Sequence, residues 1–279
     1  MHMRIVLMVC ILLAAATLLA HPPVSVVIDA RGNVYYSDLE QVWRVAPDGS
    51  RTVAVPNVHT HELYLNPRGE LFGEHLWYNG DATKTWGHYI WKRDAAGRIS
   101  LIRPRTEGFP SNYGFAHDRA GTMYWLDRER GQILKKAPNG PITRVAGELK
   151  AMRWLHATPG GTLYVVDGSD LVRVRGGRAT RFVRNITTAE RHTIMGIWTD
   201  GAENVYLADN KNRVVKRVTP AGVVSTFARS TFPWSPIGGA FAANGDLWVL
   251  EATSTSSVRV RRIASGVRQR QLPLSMPRR

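Results

Sequence analysis

A phrase with two turns recurs six times along this chain and constrains its fold more than any other feature. The first turn of each unit is centred on Gly32, Gly69, Gly121, Gly161, Glu203 and Gly245. The second turn ends on Gly49, Gly97, Gly140, Gly177, Gly222 and Gly266. Glycine is typical of tight hairpins because it accepts a positive φ at little cost. Two hairpins per unit predict four strands, and a period of about 40 residues is typical of propeller blades. The sequence therefore predicts an all-β, six-bladed β-propeller with four antiparallel strands per blade.

The repeat also predicts the domain organisation of the 279 residues. One blade cannot bury both of its faces, so the closed ring is the folding unit. Six blades occupy residues 22–272 and leave no room for a second domain. The short polar segment 273–279 is predicted to be a C-terminal tail.

The first twenty residues have the composition of a secretory signal peptide. Arg4 precedes the apolar or small run Ile5–Ala20, whose 16 residues are short for a bilayer core of about 30 Å. We predict a signal peptide over residues 1–20, cleavage between Ala16 and His21, and an extracytoplasmic (periplasmic or secreted) protein without stable membrane insertion. An uncleaved anchor is the alternative. Cys10 is the only cysteine, so the mature chain is predicted to lack disulfides.

The chain carries a formal net charge of +15, and much of this charge recurs at the end of each third strand. The basic residues concerned are Arg44, Lys92, Arg93, Lys135, Lys136, Arg173, Arg175, Lys216, Arg217, Arg261 and Arg262. A basic ring of this kind attracts anionic surfaces or polymers. The alternative, which we favour, is a set of solvated strand ends that prevent edge-to-edge pairing. Nucleic acid is not expected as a partner, because no aromatic and basic recognition motif accompanies the charges.

The residues that begin the innermost strands are predicted to surround one mouth of the axis. Most blades place a small residue there, which lets the strands crowd together. Glu62 and Trp154 break this rule and are therefore candidates for ligand contact, together with Tyr113 and Arg153. Arg153 is expected to require an anionic partner, because an unpaired buried cation is costly.

The second blade has the densest group of chemically active side chains. His61 and Glu62 begin its inner strand, Glu74 and His75 end its second strand, and His192 of blade five is predicted to reach the same mouth. An imidazole and carboxylate group of this kind binds a divalent metal or acts as an acid–base pair.

We take His61, Glu62, His75 and His192 as candidate catalytic residues, while the metal and other cofactors stay unknown. The alternative is that these histidines form hydrogen bonds within their loops. His117 and His156 lie inside inner strands and are interpreted as packing residues.

The connection between residues 76 and 88 is about ten residues longer than its counterparts in the other blades. It contains Trp77, Tyr78 and Trp86. Long loops that carry an aromatic residue often cover binding sites. The sequence predicts a mobile lid with Trp86 as a ligand-binding anchor.

The blade phrase from Gly196 to Asp209 resembles NHL repeats and the SMP-30/gluconolactonase group of six-bladed propellers. This resemblance covers nearly the whole mature chain and implies a divalent cation at the axis in the lactonases and metal-binding histidines in NHL-type lyases. The positions that correspond to the lactonase ligands are Val24, Tyr113 and Met195, with Asn112 displaced by one position. The lyase pattern is met by His61 alone. The resemblance therefore implies the fold and not a complete metal site.

Two functions follow from these observations. The first is a secreted propeller that binds a small polar or anionic ligand in its axial pocket, with metal-assisted or acid–base hydrolysis or elimination as its enzymatic form. The second is a non-catalytic propeller scaffold that binds a protein or a polysaccharide.

Overall fold

The computed structural model describes residues 24–110, 114–190 and 192–266, and they form an all-β propeller of six blades. The predicted fold is confirmed. The predicted signal peptide and C-terminal tail lie outside the described residues. Within the described part of the chain, no helix is long and apolar enough to cross a membrane.

The strands follow one another along the chain in blade order. Blade 1 consists of β1 (Val26–Ile28), β2 (Val34–Ser37), β3 (Val42–Val45) and β4 (Arg51–Val55). Blade 2 consists of β5 (Leu63–Leu65), β6 (Leu71–Tyr78), β7 (Trp86–Arg93) and β8 (Ile99–Glu107). Blade 3 consists of β9 (Ala116–His117), β10 (Met123–Asp127), β11 (Gln132–Lys136) and β12 (Ile142–Ala146).

The second half of the ring repeats this order. Blade 4 consists of β13 (Met152–Ala157), β14 (Leu163–Asp167), β15 (Asp170–Arg175) and β16 (Arg178–Val183). Blade 5 consists of β17 (Ile194–Thr199), β18 (Val205–Asp209), β19 (Val214–Val218) and β20 (Val224–Arg229). Blade 6 shows β21 (Ser235–Phe241), β22 (Leu247–Ala252) and β23 (Val258–Ile263). Its expected fourth strand would follow residue 266, outside the described residues.

Each blade is an antiparallel meander whose first strand lies at the axis, because the first strands of neighbouring blades contact one another. The turns behave as their sequence indicates. Gly32 has a φ of 80°, and Glu203, which replaces glycine in blade 5, adopts a similar φ of 59°. All first turns therefore lie at one end of the axis, the lower mouth. The beginnings of the inner strands lie at the other end, the upper mouth.

The core lies between blades, where apolar side chains of adjacent sheets interdigitate. Tyr36 of blade 1, for example, packs in one cluster with Ile237 and Leu250 of blade 6. Glycines make room for indoles at these interfaces: a Cβ on Gly239 would lie 2.5 Å from the Trp198 ring. Such overlap excludes any larger residue at position 239.

Within the described part of the chain, four of the eleven basic residues at the third-strand ends have carboxylate partners in their own blades: Lys92, Lys216, Arg261 and Arg262. Lys92 lies 2.9 Å from Glu70, and Lys216 lies 2.8 Å from Asp209. Arg261 lies 2.9 Å from Glu251, which is fully buried. These pairs join neighbouring strands of a sheet. The interpretation favoured from sequence, solvated strand ends that prevent edge-to-edge pairing, stays a prediction.

The insertion in blade 2 is not a loop of the expected kind. The strands β6 and β7 continue through it and remain paired as far as Tyr78 and Trp86, so the turn is confined to residues 79–85. Trp86 and Gly87 therefore belong to a strand. The expectation of a loop over residues 79–87 was wrong for Trp86 and Gly87, because aromatic residues on both sides of the turn favour continued strand pairing. The mobility of residues 79–85 stays a prediction.

Candidate functional site

The structure brings the beginnings of the inner strands together around the upper mouth. The backbone N–H of Val24 donates to the carbonyl of His61 at 3.2 Å. A Cβ on Gly238 would lie 2.1 Å from the carbonyl oxygen of Val24, and one on Gly196 would lie 2.6 Å from that of Ile237. The strands are therefore most crowded at this end, and the small residues found there are a packing requirement.

His61 and Glu62 lie in a buried cluster with Glu74 of β6. Glu74 Oε1 accepts from the backbone N–H of His61 at 2.5 Å and from that of Glu62 at 3.2 Å. It also lies 3.5 Å from His61 Nδ1. Glu62 Oε2 in turn accepts from the backbone N–H of Gly114 at 3.0 Å, across the boundary between blades 2 and 3. The two carboxyl groups thus connect the beginnings of neighbouring inner strands.

Burial dominates the electrostatics of this cluster. It raises the pKa of Glu62 to about 8, with the adjacent Glu74 carboxylate as a second cause. It also raises the pKa of Glu74 to about 8. Two adjacent buried carboxyl groups resist ionising together. At neutral pH this cluster therefore holds protons, which is the property required of a general acid.

His75 lies in the middle of β6, not at the end of a strand, and its ring replaces an acidic cap. Its Nδ1 accepts from the backbone N–H of His59 at 2.9 Å. In blade 4 the carboxylate of Asp167 accepts from the backbone N–H groups of Lys150 and Ala151 in the same way. His75 also stacks on Tyr89, with ring centroids 4.7 Å apart. These contacts hold the segment that precedes the inner strand in place, so His75 has a structural role there.

Arg153 and Trp154 are both engaged by the segment that precedes β17. The guanidinium of Arg153 donates to the carbonyl oxygens of Ala189 and Glu190, and the indole N–H of Trp154 donates to that of Ile194. Arg153 therefore has partial negative charges as partners and does not require the anionic ligand that the sequence suggested. Trp154 packs against the core cluster between blades 4 and 5 and against a second cluster that contains Met195 of blade 5 and residues of blades 1 and 6.

The remaining candidates are His192, Trp86 and Tyr113. His192 is exposed and has a left-handed φ of 66°. Trp86 packs 5.1 Å from the ring of Tyr78 and 6.0 Å from that of Phe109, at the outer end of the blade 2 hairpin. Tyr113 lies outside the described residues. The assignment of these side chains to ligand binding or catalysis stays a prediction.

The described cavity follows the axis and opens at the lower mouth. Its axial part has a volume of about 550 Å³ and is lined by inner-strand residues of all six blades, from Val24 and Gly238 down to Phe241. It widens into a bowl of about 890 Å³ bordered by first-turn residues such as Asp29, Asp118 and Asp200. The cavity widens where the strands are less crowded, which is the end opposite to the one that the sequence indicated.

His117 and His156, interpreted from sequence as packing residues, both line this cavity. His156 Nε2 lies 3.0 Å from Thr199 Oγ1, a contact between blades 4 and 5. The His117 ring stacks on Tyr64 with centroids 3.8 Å apart, and its Nδ1 has no hydrogen-bond partner among the described residues. Both histidines lie at the end of an inner strand, just before the first turn of their blade. This position was the sequence signal that could have placed them at the cavity. Alternation along a strand could not tell the channel from a blade interface.

Both imidazoles are neutral at physiological pH. Burial lowers the pKa of His117 to about 4 and that of His156 to about 4. A neutral imidazole donates one hydrogen bond and accepts another. The two imidazoles therefore present uncharged donor and acceptor groups to the cavity.

The metal implied by the family resemblance does not fit the residues present. Val24 and Met195 are apolar where the lactonases have ligands. Among residues 24–110, 114–190 and 192–266, no group of three His, Cys, Asp or Glu side chains is placed to hold a metal ion.

Solved structures share this fold. Virginiamycin B lyase from Staphylococcus aureus is similar with a TM-score of 0.52 and 16% identity over 87% of this chain and 84% of the lyase. Regucalcin, a calcium-binding protein from Agrobacterium tumefaciens, has a TM-score of 0.57 and 19% identity over 82% of this chain and 83% of its own. An auxiliary nutrient binding protein from Bacteroides thetaiotaomicron has a TM-score of 0.62 and 13% identity over 86% of this chain and 69% of its own.

These similarities confirm the resemblance to this group of propellers at the level of the fold. Identities this low show the fold alone. The sequence matches no protein-family profile and no curated protein.

Proposed function

We propose that this chain is an extracytoplasmic propeller that binds a small polar ligand in its axial cavity. The observation that carries this proposal is the pair of cavity-lining imidazoles near the lower mouth. His117 presents a buried Nδ1 without a partner among the described residues, beside the ring of Tyr64. A buried polar atom without a hydrogen bond is costly, and a bound polar group would remove that cost.

The lining indicates an uncharged ligand. His117 and His156 are neutral, because burial lowers the pKa of each to about 4. The carboxylates bordering the bowl are bound to their own turns: Asp118 accepts from the backbone of Thr122, and Asp200 accepts from that of Asn204. Tyr64, Phe241 and Ile28 add apolar surface. A compact molecule with hydroxyl or amide groups and an apolar face matches this wall.

The test is binding by the purified mature protein to a panel of monosaccharides, sugar lactones and primary amides, followed by thermal shift and calorimetry. We expect at least one class to raise the melting temperature, and His117→Leu and His156→Leu to abolish that rise. His61→Gln, at the upper mouth, is the matched comparison. If His61→Gln abolished binding while both leucine variants bound normally, the ligand would belong to the upper mouth and the proposal would be wrong.

A second candidate function, acid–base hydrolysis or elimination at the upper mouth, is favoured by one specific observation. Glu62 and Glu74 share a buried pocket beside His61, and burial raises the pKa of each carboxyl to about 8. Protons held at neutral pH suit a general acid. For lactone or ester substrates followed in a pH-stat, Glu62→Gln would lower the rate roughly a hundredfold or more. An unchanged rate in that variant would exclude this candidate.

A further inference from the structure

The extended hairpin of blade 2 carries an aromatic surface that the axial cavity does not use. It consists of His75 and Trp77 on β6, Tyr89 on β7 and Arg105 on β8. The second strand of blade 1 ends at Ser37, the equivalent of Glu74, whereas β6 continues for four more residues to Tyr78. These four residues of β6 therefore extend beyond the end of β2. The rest of the same face of blade 2 packs against blade 1.

Two tryptophans on this face are arranged in the same way but in different surroundings. Trp91 lies opposite Gly73 and is fully buried in the core between blades 1 and 2. Trp77 lies opposite Gly87, and a Cβ on Gly87 would lie 2.1 Å from the Trp77 ring. The indole of Trp77 therefore lies flat on the strand. It is only half-buried and belongs to none of the core clusters formed by the described residues.

The neighbouring side chains complete a platform. The rings of His75 and Tyr89 are nearly parallel, with 12° between their planes, and Trp77 meets Tyr89 at 41° with centroids 6.2 Å apart. The guanidinium of Arg105 lies over both rings, with its Cζ 5.4 Å from the centroid of Trp77 and 5.7 Å from that of Tyr89. Arg105 is exposed and forms no ion pair within the described part of the chain.

We infer that this platform binds a polysaccharide containing uronic acid residues. A pyranose ring has a flat face of C–H groups that stacks on an aromatic ring, and a uronate adds one carboxylate at the rim of that ring. The tilted faces of Trp77 and Tyr89 provide the stacking surface, and Arg105 provides a planar donor that binds carboxylates through two parallel hydrogen bonds. His75 adds a donor, because its Nδ1 accepts from His59 and its Nε2 then carries the proton.

An acidic polysaccharide fits this surface better than a neutral one. The chain has a formal charge of +15, and the cation of the platform has no carboxylate of its own among the described residues. Long-range attraction would therefore bring a polyanion to the protein, and at this face Arg105 would pair with its carboxylates while the aromatic rings would select a saccharide from other anions.

The experiment measures binding of the folded protein to polygalacturonate, with dextran as the neutral polymer, by affinity electrophoresis and calorimetry. We expect Trp77→Ala to weaken binding to polygalacturonate roughly tenfold or more, since stacking on one aromatic ring contributes on that order. Arg105→Gln should weaken binding several-fold and reduce its dependence on salt. Dextran should bind at least about tenfold more weakly than polygalacturonate.

Tyr78→Ala is the matched control, because Tyr78 follows Trp77 in β6 and its ring lies on the opposite face with Trp86. It should change binding by less than about twofold. Arg105→Gln tests the inference without a risk to folding, because the side chain is exposed.

Three results would overturn the inference. One is binding that salt abolishes but that neither Trp77→Ala nor Arg105→Gln alters, which would mean attraction by net charge alone. Another is an equal loss in Tyr78→Ala, which would mean that only the hairpin fold matters. The third is dextran binding equal to that of polygalacturonate.

Discussion

At the scale of single residues, the upper mouth is organised by two buried carboxyl groups. Glu74 binds the backbone at the start of its own inner strand, and Glu62 binds Gly114 of the next blade. Neither group has a carboxylate's usual access to water, since they are 4% and 6% exposed. The contact between blades 2 and 3 at this point therefore depends on the protonation of Glu62 and Glu74.

This dependence predicts that stability falls as the pH rises through the neutral range. The folded-state pKa of Glu62 is raised to about 8 from an ordinary value of 4.5, so the folded protein binds more protons than the unfolded chain between these values. Stability is then greatest below the lower value and is lost as the pH approaches the higher one. The slope is about 1.4 kcal/mol per pH unit for each additional proton that the folded state binds.

The two buried histidines have the opposite effect on the pH dependence of stability, and they act at lower pH. Burial lowers the pKa of His117 and of His156 from 6.5 to about 4, so their contribution to stability rises with pH and is nearly complete by about pH 7. Urea unfolding between about pH 7 and pH 8 therefore isolates the glutamates. We expect Glu62→Gln to reduce the loss of stability over this range and the exposed control Glu40→Gln to preserve it. The same slope in wild type and Glu62→Gln would show that this carboxyl ionises normally.

A second prediction at this scale concerns the crowded inner strands. Gly238→Ala should destabilise the protein by about 1–3 kcal/mol, because the new Cβ would lie 2.1 Å from the backbone carbonyl of Val24. Gly160→Ala is the control, since nothing lies within 4 Å of the added carbon, and it should change stability by less than about 0.5 kcal/mol. Denaturant unfolding of both variants gives the comparison. Equal stabilities would mean that the strands separate easily at the axis.

At the scale of elements, blade 2 is the exception in a regular ring. Its second and third strands each have eight residues, compared with four in blade 1. The hairpin tip interacts mainly with itself and with the end of β8: Asn79 donates to Glu107, and Tyr78 donates to Asp81. The tip therefore contributes to the hairpin and not to the ring.

Shortening the hairpin should leave the ring folded. We expect replacement of residues 79–85 by an Asn-Gly turn to change the melting temperature by only a few degrees, because surface loops change closure entropy little. Circular dichroism and thermal unfolding measure this. A second variant that lacks residues 77–87 should lose binding to polygalacturonate, since Trp77 is removed. A shortened protein that fails to fold would identify the hairpin as a brace between blades.

At the scale of the whole molecule, five of the six blade boundaries hold an apolar cluster built from two neighbouring sheets of the described residues. The boundary between blades 2 and 3 instead shows the hydrogen bond from Gly114 to Glu62 and the stacking of Tyr64 on His117. The polar and charged groups are used mainly within blades or at the mouths. Ligand binding at the axis and polymer binding at the rim of blade 2 would therefore occupy separate parts of one rigid scaffold.

Export of the chain is the prediction at this scale. Expressed with its first twenty residues in a bacterial host, the protein should be recovered outside the cytoplasm with a new N-terminus between residues 17 and 22, because the apolar run Ile5–Ala20 is too short for a stable anchor. Mass spectrometry of the recovered protein measures this. Retention of Met1 in a membrane fraction would show an uncleaved anchor.

The sequence by itself determined the number of blades, their strand order and the position of nearly every turn. Turn chemistry and strand alternation are local properties, and six copies of one pattern repeat the same local information. The signals in blade 2 were also local, and they correctly marked its hairpin as different. Its continuation as paired strands was missed, since the length of the insertion was given more weight than the aromatic residues that flank its turn.

Only the tertiary structure decided which side chains meet. Glu62 reaches Gly114 across a blade boundary, Arg153 binds backbone carbonyls of the next blade, and His117 faces the cavity beside Tyr64. Each of these contacts joins residues from different blades, and their geometry depends on sheet twist and on how closely the strands approach the axis. Alternation along one strand assigns a side chain to one of two faces. It cannot tell whether that face meets a neighbouring blade, the axial cavity or solvent.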